Sequence, residues 1–83
     1  MFSHDQIAEA TLTLLNKRAH NATICPGEVA RYMRLDDWRA LMEPVRQCAR
    51  ILVEEGIVEI TQRGEAVDPD NYKGPIRIRR KTV

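Results

Sequence analysis

Apolar and polar positions alternate along this chain with two different periods, and the change of period divides it into a helical part and an extended part. Ile7, Ala10, Thr11, Leu14 and Leu15 recur at the three-to-four spacing of one helix face. Ser3 and Gln6 stand at the separation of a capping box, in which each side chain satisfies a backbone N–H exposed at a helix start. A first helix is expected near residues 4–19, with Lys17, Arg18 and His20 in its last turn, where cations complement the helix dipole. "HNAT" ends it, and Thr23 and Ile24 read as a short extended segment. In "CPGEVARYMRL", Pro26 suits a first helical position and Glu28 the exposed N–H groups of a helix start, while Val29, Ala30 and Met33 make an inner edge.

Asp36 or Asp37 reads as the cap of a further turn that brings Trp38, Leu41 and Met42 inward. Pro44 is expected to open the third main helix, because its missing N–H costs nothing at a first position. Val45, Cys48, Ala49, Leu52 and Val53 form that helix's buried stripe, and Arg46, Gln47, Arg50 and Glu54 its opposite side. Gly56 is placed to end it in the left-handed conformation. Beyond Gly56 the period becomes two: Val58, Ile60 and Gln62 on one side, Ile57, Glu59 and Thr61 on the other. Arg63-Gly64-Glu65 reads as a hairpin turn, Ala66-Val67 as a short return, and "DPDNYKGP" as a loop rich in turn residues. Ile76 and Ile78 then alternate with Arg77 and Arg79 in a final strand entered through Gly74-Pro75. A slip by one residue would bury two charges, so the isoleucines are expected inward and the arginines outward.

The expectation is one α+β domain over residues 1–83: three main helices, then a small antiparallel sheet, in the order of a winged helix-turn-helix. The chain also resembles a bacterial family of small winged-helix proteins, a domain of unknown function, through "TICPGEVAR", "WRALMEPVR", "QRGEAVDP" and "GPIRIRR". That resemblance implies the winged-helix fold and brings no catalytic residue.

Composition narrows the function classes. An 83-residue chain buries roughly 60 to 65% of its unfolded surface, too little for a deep site between domains. No apolar run is long enough to span a membrane. "MFSHDQIAEA" shows neither a basic start nor a long apolar stretch, so a cytoplasmic protein is expected. The net charge of +1 hides an asymmetry: residues 72–83 hold Lys73, Arg77, Arg79, Arg80 and Lys81 with no acid. Such a cluster suits an anionic partner, and equally a solubilised chain end.

In a helix-turn-helix the second helix of the motif meets the major groove, where arginine bonds guanine. Arg46, Gln47 and Arg50 occupy that position here, with Arg39 and Arg34 in the preceding segments. Arg63 at the hairpin tip, with Arg77 and Arg79 on the last strand, completes the candidate nucleic-acid set. Each has a plainer reading: a solvated helix face flanked by Glu43, Glu54 and Glu55, a turn arginine offset by Glu65, and a strand charged against aggregation. Cys25 and Cys48 lack companion ligands at the spacing of a zinc site, and are expected reduced and metal-free. Cys25 at a helix start suits a thiolate or, more plainly, a structural thiol. No phosphate cradle, nucleophile elbow or cofactor motif is present, so neither catalysis nor a cofactor is expected. Two functions stay open. One is a small DNA-binding protein, such as a transcriptional regulator, which would gain affinity as a homodimer through the first helix. The other is a module that binds a protein partner with the same scaffold.

Overall fold

The computed structural model describes residues 2–81. Three helices, α1 (His4–Asn16), α2 (Pro26–Met33) and α3 (Met42–Glu54), are joined by a short strand β1 (Thr23–Ile24) and a 3-10 turn (Trp38–Leu41). Strands β2 (Val58–Gln62), β3 (Glu65–Ala66) and β4 (Arg77–Arg80) follow. The four strands form one antiparallel sheet in the order β1-β4-β2-β3. The architecture is therefore α+β, with the last strand of the chain paired on both sides.

Local chemistry accounts for most boundaries. Ser3 Oγ accepts from the Gln6 N–H at 3.2 Å and Gln6 Oε1 accepts from the Ser3 N–H at 2.8 Å, a complete capping box. At the far end of α3, Gly56 has φ +77. The Ile57 N–H donates to the Leu52 carbonyl and the Gly56 N–H to the Val53 carbonyl, each at 3.0 Å, which is the Schellman closure that needs a left-handed residue there. Arg63 and Gly64, with φ 55 and 83, make the two-residue turn between β2 and β3. Positive φ at both positions matches the right-handed twist of the flanking strands.

Four boundaries differ from the sequence reading. Helix α1 stops at Asn16, so Lys17, Arg18 and His20 lie beyond it and no base occupies its last turn. Leu15 is the last buried side chain there, and residues 16–21 are all exposed, so nothing holds a further turn. Helix α3 starts at Met42, running directly on from the 3-10 turn. Pro44 is consequently its third residue, where an N–H would also have had no partner within the helix. Asp37 precedes the 3-10 turn with φ 56 and makes no side-chain cap bond, so the turn is bent backbone rather than a capped start. Strand β4 begins at Arg77, with the buried Ile76 just ahead of it.

One apolar cluster joins the layers. Ile7 and Leu15 of α1, Val29 of α2, and Val45 and Leu52 of α3 meet Ile24, Val58, Ile60 and Ile78 of the sheet. Ile76 and Ile78 are buried as the alternation requires, and Arg77 is exposed. Arg79 is not fully outward: it is half-buried. Thr61, placed by alternation away from the core, is buried as well, and Tyr32 is 52% exposed. The buried Thr11 hydroxyl donates to the Ile7 carbonyl at 2.9 Å, which allows a polar residue in the α1 stripe.

Cys48 lies inside this cluster. Burial, followed by the charges of Glu55 and Asp5, pushes its thiol from an ordinary 9.0 up to about 11. The unfolded chain releases that proton near 9 while the folded chain keeps it to about 11, so Cys48 stabilises the fold fully below 9 and loses that contribution as pH rises through this interval. Urea midpoints taken below pH 9 and again between 9 and 11 should show a decline of up to about 1.4 kcal/mol per pH unit beyond that of Cys48→Ala. In the same assay at neutral pH, Ile78→Val should cost about 0.5–1.5 kcal/mol, whereas Ile57→Val, at a 39% exposed site, should be nearly silent.

Candidate nucleic-acid interface

The arginines singled out by the sequence fall into two groups once their partners are known. In the first, a carboxylate of the same chain consumes the charge. Cross-strand register places Glu59 opposite Arg79. Arg79 Nε donates to Glu59 Oε2 at 2.9 Å, Nη2 donates to the same oxygen, and Nη1 reaches the Gly64 carbonyl at 3.3 Å. Arg50 Nη1 donates to Asp70 Oδ1 at 2.7 Å, and that bond, with the Asp70 charge behind it, raises the guanidinium pKa further. Arg50 Nε itself is buried without a hydrogen-bond partner. Gln47 donates to Glu43 Oε2 at 2.9 Å.

The second group keeps its charge available. Arg39 stacks on the Trp38 ring, 4.5 Å from its centroid, and Arg31 lies over the same ring at 4.9 Å. Arg63 projects from the hairpin turn. Arg77 binds only neutral acceptors, the Thr23 hydroxyl at 2.8 Å and its carbonyl at 3.2 Å, which fasten it along the sheet edge. Among the described residues no carboxylate lies within ion-pair distance of Arg31, Arg39, Arg63, Lys73 or Arg77. Arg46 is intermediate: its contact with Glu43 spans 3.7 Å and both side chains are substantially exposed.

Two hollows organise these free cations. The first, about 390 Å³, opens between α2, the 3-10 turn, the start of α3 and the loop before β4, with Arg31 and Arg46 in its lining. The second, lined by Gln62, Arg63, Glu65, Lys73 and Pro75, lies against the hairpin. Pro75 belongs to both, so the hollow with Arg31 and Arg46 adjoins the one with Arg63 and Lys73. Gln62 fixes this junction by donating Nε2 to the carbonyls of Lys73, at 2.6 Å, and Pro75, at 3.0 Å. An Asx turn at Asp68, whose Oδ1 accepts from the Asp70 N–H at 2.9 Å, shapes the loop ahead of it.

Sequence reasoning did not single out Arg31, and it named Lys73 only within the basic cluster of residues 72–83. A signal for Arg31 existed: Gly27 stands four residues earlier on the same helix, and a Cβ there would lie 3.1 Å from the Arg31 guanidinium. The missing side chain lets Arg31 fold back along α2. Lys73 has no comparable local mark, since only the Gln62 bonds place it. Among the described residues, no group of three or more His, Cys, Asp and Glu is arranged to hold a metal ion, and no helix is long and apolar enough to cross a membrane.

The family model described as "Protein of unknown function (DUF3253)" matches residues 4–81, and the chain belongs to that family. No curated protein matches it.

The split between consumed and free charge predicts different consequences for stability. Glu59→Gln leaves Arg79, about a quarter exposed, without its counter-charge and should cost about 1–3 kcal/mol. Asp70→Asn releases Arg50 toward solvent and should shift the urea midpoint less than Glu59→Gln does.

Proposed function

We propose that this DUF3253 protein is a winged helix-turn-helix protein that holds duplex DNA by its phosphates, as a small bacterial transcriptional regulator of the cytoplasm that needs neither cofactor nor catalysis. The element order supports this reading. Helices α2 and α3 stand where the helix-turn-helix pair would be, β1 joins β4, and the β2–β3 hairpin beside β4 takes the place of a wing.

The observation that carries the proposal is the set of cations lining two hollows that share Pro75, of which, among the described residues, only Arg46 has a carboxylate partner, the exposed Glu43 at 3.7 Å. Such charges attract a polyanion without first breaking an internal pair. Base reading has less support, because Arg50 is bonded to Asp70 and Gln47 to Glu43. The proposal is therefore of backbone contact led by Arg31, Arg39, Arg46, Arg63 and Lys73, with Arg77 farther along the sheet edge. A second copy paired through α1 would raise affinity by presenting two such faces.

A second reading, a module for a protein partner, draws on Tyr32 and Leu35, exposed by 52% and 88% within and just past the end of α2. Titration of random duplexes at about 50 mM and about 200 mM salt separates the two. Under the DNA reading, binding appears at low salt, and Arg46→Ala and Arg63→Ala each lower the salt slope by about 1 while Arg79→Ala changes it least. Absence of binding even at low salt would remove the DNA reading and leave the partner reading.

A further inference from the structure

The hollow between α2 and α3 has properties that phosphate contact does not use. Its walls are largely apolar: Pro26, Trp38, Met42 and Ile76 line it, and no carboxylate does. Two guanidiniums reach it from different helices, Arg31 from α2 and Arg46 from α3. Arg31 has no acidic partner among the described residues, and the only one of Arg46 is an exposed Glu43 at 3.7 Å, longer than a hydrogen bond. Gly27 is buried in the lining and gives Arg31 the room to lie back toward the start of its own helix.

Those features select a ligand class. A volume of about 390 Å³ suits a small molecule. Paired guanidiniums match a carboxylate, to which arginine donates two parallel hydrogen bonds. The aliphatic walls of Pro26, Met42 and Ile76, beside an indole that Arg31 and Arg39 already contact, favour a flat apolar body over a bare inorganic anion, which would leave them wet. We propose that this cleft binds a small planar aromatic carboxylate, with the acid between Arg31 and Arg46 and the ring among Pro26, Met42 and Ile76 beside Trp38. The proposal does not rest on DNA binding and is tested without nucleic acid.

Trp38 is the only tryptophan of the chain, so its indole N–H is a unique reporter in a nitrogen–proton correlation spectrum. 2-Naphthoate should shift that peak and the Gly27 amide saturably, with Kd below about 1 mM. 2-Naphthamide, which lacks the charge, and inorganic phosphate, which lacks the ring, should each bind at least about tenfold more weakly. Arg31→Gln and Arg46→Gln should weaken naphthoate by about tenfold, and Gly27→Ala, which displaces the Arg31 guanidinium, should act in the same direction. The same spectra report whether each variant is folded. Equal binding of naphthoate and naphthamide, phosphate binding as tightly as naphthoate, shifts centred on Arg63 and Lys73, or no saturable shift at all would each overturn the proposal.

Discussion

The sheet is held by the antiparallel pairing of β4 on both of its edges, to β1 through Thr23 and Ile24 and to β2 through Val58 to Thr61. Because strand side chains alternate, that one placement sends Ile78 into the cluster beneath the helices and leaves Arg77 and Arg79 on the other face. Burial of a large aliphatic residue contributes roughly 1.5–3 kcal/mol, and Ile76 and Ile78 both supply it, so the register tolerates no slip. The same register sets Glu59 beside Arg79 and the Thr23 acceptors beside Arg77.

The most basic stretch of the chain is thereby turned to architectural use. Arg79 is tied to Glu59, Arg77 to Thr23, and Arg80 to the Asn16 side chain at the end of α1. Charge density along the sequence is thus a poor map of charge on offer. Of that stretch Lys73 and Arg77 lack a carboxylate or amide partner among the described residues, and the other free cations come from α2, the turn before α3 and the hairpin tip, where no register sets an acid opposite a base.

What the sequence made legible was what depends on near neighbours. The Ser3–Gln6 capping box, the closure at Gly56 and the turn at Arg63-Gly64 each involve residues within a few positions, and the inward isoleucines of β4 follow from alternation alone. The start of α3 was not legible, since Pro44 is equally acceptable at a first or third position, and only the 3-10 turn running into the helix decides between them. Nor were the partners of Arg50 and Arg79. Asp70 and Glu59 each lie twenty residues away in the chain, and many acids were as near in sequence. The cleft between α2 and α3 was hidden for the same reason: Cys25, Trp38, Arg46 and Ile76 converge only after the helices and the sheet have packed.

The strand in the middle of the sheet is the last described element of the chain. During synthesis the three helices emerge first, with β1 lacking a partner and the cluster around Val29 and Val45 lacking the floor that Ile76 and Ile78 provide. The nascent chain consequently waits as a partly closed helical layer, its apolar underside open to chaperones or to other chains, until β4 leaves the ribosome. An edge strand arriving late would merely widen a finished sheet; this one inserts between two strands that have no contact without it, so closure of the sheet waits on β4 and not on any of the strands made before it.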